Sequence, residues 1–218
     1  MAVGWALLGP AGKVAAQAWS DDDLTEPEPS NYGRYAMASP SRKGRFSGGL
    51  EWSMALGVGS TSEFIGDYSL RGFTVEGRYW IHNQATVGLL WGWTALYEKL
   101  HSRTYETDNL AITSTQIRWF DAMPLQLTGH YYFELATRGV LPFIGTGVGT
   151  VWTERLLTLP VTSYSQESWH FALAPELGLL FPSPAGSFLI SSRFNYAFET
   201  DAAPEAVWFN FNIGLMGL

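Results

Sequence analysis

The stretch Ala85-Thr86-Val87-Gly88-Leu89-Leu90-Trp91-Gly92-Trp93-Thr94 decides the fold. Ala85, Val87, Leu89, Trp91 and Trp93 fall on odd positions, while Thr86, Gly88, Gly92 and Thr94 fall on even ones. Successive side chains of a strand point to opposite faces, so one side of this strand is bulky and apolar and the other small or polar. The same period of two returns along the chain. Leu50, Trp52, Met54, Leu56 and Val58 oppose Glu51, Ser53, Ala55 and Gly57. Phe73, Val75, Tyr79 and Ile81 oppose Thr74, Glu76 and Arg78. Five later runs follow the pattern, led by Leu125, Ile144, Phe171, Phe188 and Phe209. Eight strands are expected, and no helical periodicity stands out in the body of the chain.

The connections between these strands alternate in length. His82-Asn83-Gln84, residues 134–139 and residues 182–186 are short links. Residues 60–70, 97–110, 154–167 and 200–206 are longer and more polar. Tight turns at one end and long loops at the other are the signature of an antiparallel up-and-down barrel that crosses an outer membrane. An even strand count puts both chain ends on the short-turn side.

Composition agrees and removes other classes. The 218 residues are 46% apolar, 15% aromatic and 15% charged, with ten Trp and 23 Gly. Disorder is excluded for most of the chain. The absence of cysteine excludes disulfide scaffolds, zinc-thiolate sites and a cysteine nucleophile. A net charge of -7 argues against nucleic acid as a partner. No run approaches the ~18 apolar residues that a spanning helix needs.

Residues 1–18 read as a signal peptide, with an apolar run and Ala16-Gln17-Ala18 as the cleavage site, although no basic residue precedes the run. Residues 19–47 read as a flexible periplasmic leader, because Asp21-Asp22-Asp23, Glu26-Pro27-Glu28-Pro29 and Arg42-Lys43 leave nothing to bury. Residues 48–218 form the barrel.

The alternation also fits a soluble barrel with the bulky face turned inward. Three features turn that face outward. The opposite face is mostly Gly, Ser, Thr and Ala, which is poor in charge for a watered exterior. Its charges carry both signs, as pairing inside a narrow tube requires. Trp52, Tyr79, Trp91, Trp93, Tyr131 and Trp152 are expected on the lipid side, as a girdle at the membrane interfaces. Glu51, Glu76, Arg78, His130, Glu176 and Arg193 are then expected to share one lumen. Eight strands leave room only for side chains, so a Glu/Arg network should plug the tube.

The run Ala122-Met123-Pro124-Leu125-Gln126-Leu127-Thr128-Gly129-His130-Tyr131-Tyr132-Phe133, followed by Leu141-Pro142-Phe143-Ile144-Gly145-Thr146-Gly147-Val148-Gly149, resembles strands four and five of the small OmpX- and OmpW-like outer-membrane barrels. Phe171 to Leu180 and Arg193-Phe194-Asn195-Tyr196 resemble strands six and seven. The resemblance implies a monomer in a bacterial outer membrane, in contact with the bilayer and with lipopolysaccharide. A protein partner would act through the external loops. Such barrels end in an aromatic residue on the outward face. Here Leu218 is out of step with Leu215, and a bulge at Gly214 or Gly217 would restore the register.

No catalytic set emerges. The glycines at 145, 147 and 149 alternate along a strand rather than opening a helix, so close strand contact or room for a lumen side chain explains them. The four histidines lack metal-ligand spacing, and neither metal nor cofactor is expected. The role expected is structural or surface-interacting and not enzymatic. Passive transport of small apolar solutes is the alternative. A weaker one is lipid hydrolysis by Ser168 with His170.

Overall fold

The computed structural model describes residues 41–107, 110–134, 139–159, 162–183 and 185–217. The expected signal peptide and most of the leader lie outside them. Among the described residues, nine strands make one antiparallel sheet. They are β1 (Phe46–Gly57), β2 (Tyr68–Ser69), β3 (Arg71–His82), β4 (Ala85–Thr107), β5 (Leu110–Tyr132), β6 (Leu141–Thr158), β7 (Ser163–Phe181), β8 (Ser187–Ala197) and β9 (Ala206–Gly217), with one short helix, α1 (Ser60–Phe64). Each long strand pairs with the next, and β9 pairs back on β1 from Gly48↔Gly217 to Gly57↔Trp208. With the two-residue β2 set aside, eight strands close a barrel without a free edge in its wall.

The side-chain alternation sorts as the period of two requires. Along β1 the exposure pattern is strictly alternate, and Leu50 is 61% exposed beside Glu51 at 1%. Leu127, Leu177 and Leu215 are likewise more than 60% exposed, and Trp52, Tyr79, Trp91 and Tyr131 are exposed on the same outer face. The bulky rows therefore look outward. A sheet closed on itself satisfies its backbone internally, so this exterior is compatible with hydrocarbon and poorly matched to water.

Several connections differ from expectation. Residues 97–107 and 154–158 are not loop but continuations of β4 and β6. β4 and β5 have 23 residues each, about twice the ~10 that cross a bilayer, so their hairpin stands well beyond the wall. Alternation stops carrying an inside-outside contrast where the strand leaves the barrel, which is why the sequence there reads as polar loop. Residues 60–70 also do more than link strands. They hold α1 and β2, and one extra residue enters between the pairs Trp52↔Phe73 and Ala55↔Ser69. The carbonyl of Leu70, turned out of the ladder, accepts the Trp52 indole N–H at 2.7 Å.

The turn end is held by the last described part of the leader, which is ordered where a mobile segment was expected. Gly44 N–H donates to the Trp80 carbonyl at 2.8 Å, and Trp80 N–H donates to the Arg45 carbonyl at 3.0 Å. The Asn83 carboxamide oxygen accepts bonds from Ser41 Oγ, Arg42 N and Lys43 N, each at 3.1 Å. The Arg42 guanidinium stacks 5.5 Å from the Trp80 ring. At the other end of the chain, β9 keeps one register against both β1 and β8 through Gly214. The bulge that would restore the outward register is absent at Gly214, and Gly217 keeps the same register opposite Gly48. Leu218 lies outside the described residues.

Candidate functional site: the barrel interior

Glu51 on β1, Glu76 and Arg78 on β3, His130 on β5, Glu176 on β7 and Arg193 on β8 all point inward and are at most 5% exposed. Arg78 is central. Its Nη2 lies 2.6 Å from Glu76 Oε2 and 3.9 Å from Glu51 Oε1, and its Nη1 donates to Tyr132 Oη at 2.7 Å. Arg193 Nη2 lies 2.8 Å from Glu176 Oε2 and 3.8 Å from Glu76 Oε2. His130 Nε2 joins the two halves, 3.2 Å from Glu176 Oε2 and 3.8 Å from Glu76 Oε1. Thr128 donates its hydroxyl to Glu76 Oε1 at 2.6 Å. Cross-strand register makes these meetings possible: Glu176 stands directly opposite Arg193, and His130 opposite Gly145.

Two of the three β6 glycines make room for lumen side chains, while a Cβ at Gly149 would meet the backbone of Leu125 and Gln126 on the neighbouring strand. A Cβ at Gly145 would collide with the His130 ring, and one at Gly147 would meet the Gln126 amide. The missing side chains are therefore room for the lumen. Removing one partner from such a cluster strands a charge in low dielectric, at several kcal/mol.

Above and below lie apolar layers. Toward the short turns, Trp80, Tyr132, Leu141, Phe143, Leu180, Leu189 and Met216 pack together. Toward the long hairpins, Leu96, Phe120, Val151 and Trp208 pack with Ile65 from the segment after α1. Between the charges and this upper layer, Asn210 accepts from Trp208 Nε1 and from Asn195 Nδ2, both at 2.7 Å, and donates to Thr94 at 3.1 Å. The upper layer includes an inward-folded loop. Thr61 accepts the Val207 N–H at 2.8 Å, and Arg118 grips the end of α1 through the Phe64 carbonyl at 2.8 Å. Residues 60–65 are thus partly interior, whereas the sequence suggested an open external surface.

The sequence places Thr86 and Thr128 on the small-residue face without giving them a role beside His130, and it does not single out Tyr132, Trp208 or Thr61. Parity alone places Thr128 and Tyr132 beside His130 on the inward row, but the eye follows the bulky outward aromatics Tyr131 and Phe133. No signal pointed to α1.

The other chemical candidates resolve differently. Ser168 and His170 both face inward but do not bond each other. Ser168 Oγ meets Thr200 Oγ1 at 3.0 Å, while His170 Nδ1 lies 2.8 Å from the Phe198 carbonyl and Nε2 2.9 Å from Thr153 Oγ1. Both ring nitrogens are committed to cross-strand bonds, which leaves none to act on the serine. Among the described residues, Glu76, His130 and Glu176 offer ligand atoms within 4.8 Å of one another, the number and type that could hold a metal. Arg78 and Arg193 already place positive charge on both carboxylates, so the cluster is arranged as an ion-paired network. On the outer wall Trp93 and Trp152 are half-buried, and Trp93 Nε1 donates to Asp121 at 3.0 Å.

No protein-family model and no curated protein matches the chain. Solved structures do. Neisserial surface protein A is 12% identical with a TM-score of 0.49, the match covering 78% of this chain and 95% of that one. OprG, an outer membrane protein from Pseudomonas aeruginosa, is 14% identical with a TM-score of 0.46, covering 80% and 96%. Ail, the attachment invasion locus protein of Yersinia pestis, is 16% identical with a TM-score of 0.41, covering 80% and 99%.

Proposed function

We propose that the protein is a monomeric integral barrel of a bacterial outer membrane, non-conducting and non-enzymatic, with a structural or surface-presenting role. The observation that carries this reading is the pairing of an apolar exterior with a filled interior. Leucine and aromatic rows on the outside belong in lipid, while six buried ionisable groups between two apolar layers support an interior filled by side chains. The β4–β5 strand pair, which rises past the wall, is the part offered to the medium.

Two measurements test the reading. The purified protein, run in detergent on a gel with and without boiling, is expected to change mobility as a closed barrel does. Reconstituted in planar bilayers, it is expected to give no steady conductance. Solubility without detergent would overturn the membrane assignment, and stable channel openings would overturn the plugged interior.

A further inference from the structure

The lumen carries a charge imbalance that its ion pairs do not settle. Glu51, Glu76 and Glu176 bring three buried carboxylates, whereas Arg78 and Arg193 bring two guanidiniums, which keep their charge. His130 is satisfied as the neutral imidazole. Its Nε2–H donates to Glu176 Oε2 at 3.2 Å, and its Nδ1 accepts the Thr86 hydroxyl at 3.4 Å. The stretches of β4, β6 and β9 at this level, residues 86–94, 145–151 and 210–214, contain no charged residue. The balance is one negative charge, in an interior where a charge without compensation is neutralised instead.

The contacts single out Glu51. Glu76 accepts from Arg78 and from Thr128, both at 2.6 Å, and Glu176 accepts from Arg193 at 2.8 Å. Neither oxygen of Glu51 accepts a hydrogen bond. The cation nearest to it, Arg78 Nη2 at 3.9 Å, is already bonded to Glu76. On β9, Asn212 is the diagonal neighbour of Glu51, within reach of a long side chain. Asn212 Nδ2 donates to Ser191 at 3.2 Å, and its Oδ1 has no donor. A carboxyl without a donor beside an amide oxygen without a donor is a row short of one hydrogen. We infer that the folded barrel binds one proton in its lumen, on the Glu51 carboxyl, and keeps Glu51 as the neutral acid at neutral pH. The proton cancels the excess charge and gives the row the donor it lacks. The inference concerns the lumen alone and holds whichever medium meets the wall.

Infrared spectroscopy of the full chain tests this directly. In an alkyl maltoside, which has no ester carbonyl, the C=O stretch of a carboxylic acid is resolved from carboxylate bands. Solvated carboxylates are ionised at about pH 7. The folded protein is nevertheless expected to show one protonated carboxyl per chain, a band that Glu51→Gln should lack. Equilibrium unfolding counts the proton. Glu51 in the unfolded chain is ionised above about pH 5, so folding takes up a proton and stability falls as pH rises. Relative to Glu51→Gln, the folding constant of the unaltered protein should fall about tenfold per pH unit between about pH 5 and 7. The infrared band of the unaltered protein needs no variant, and its absence would overturn the inference by itself. A band that survives in Glu51→Gln, or a ratio of folding constants that does not change with pH, would overturn it as well. So would stabilisation by sodium or potassium chloride that choline chloride does not reproduce, because a metal cation would then supply the missing charge.

Discussion

Arg78 and Glu76 stand two residues apart on β3, so both point into the lumen, and the guanidinium meets the carboxylate at 2.6 Å with neither exposed to solvent. Removing only the cation leaves Glu76 and Glu51 without their nearest positive charge. Arg78→Met is therefore expected to destabilise the barrel by about 3–5 kcal/mol. Glu76→Gln/Arg78→Met together should recover part of that loss, because no buried charge of this pair remains. Urea titration of the folded protein in detergent, followed by the gel-mobility difference, measures both. A double variant as unstable as the single one would show that the pair is not the unit that matters.

The same network sets a steric rule at Gly145. Its absent side chain is the space into which the His130 ring fits. Gly145→Ala is expected to cost about 1–3 kcal/mol through overpacking. Combined with His130→Ala, the steric part should disappear, so the two changes should be clearly non-additive. Additive losses in a double-mutant cycle would mean that Gly145 is needed for strand contact alone.

The outward rows can be tested at Leu127, which lies on β5 between Leu89 and Val148 and is 65% exposed. On a water-facing wall an arginine there would be harmless. In the middle of a lipid-facing band it is expected to cost about 2–4 kcal/mol. Comparing Leu127→Arg with the unaltered protein for folding into vesicles decides the matter, and equal folding yields would place that row in water.

Much of this architecture was legible in the sequence because barrel strands repeat one simple contrast. Eight runs with a period of two gave the strands, and opposite signs on the small-residue face gave the lumen set Glu51, Glu76, Arg78, His130, Glu176 and Arg193. Pairing was not legible: which carboxylate meets which guanidinium depends on register between strands, such as Glu176↔Arg193. The extents of β4 and β6 were misread because beyond the wall both faces of a hairpin meet the same medium and the contrast fades. Residues 60–65 show only a longer, polar link in the sequence because inward folding of α1 is fixed by distant groups, Arg118 and the Val207 amide, which local pattern does not contain.

That inward fold supplies the last expectation. Thr61 is fully buried and its hydroxyl accepts the backbone N–H of Val207, near the first residues of β9, so α1 is fastened to the wall it covers. Thr61→Ala strands that amide, at about 1–3 kcal/mol if the segment stays in place. The segment has another way out, since residues 60–65 can swing away from the mouth and expose Ile65 and Trp208. Local opening is then less costly than global unfolding, and the loss should appear locally. Hydrogen exchange is expected to accelerate at Val207 and through α1 while the β4–β5 and β6–β7 ladders keep their protection. Uniform acceleration across all strands would mean that α1 supports the whole barrel instead of capping one end of it.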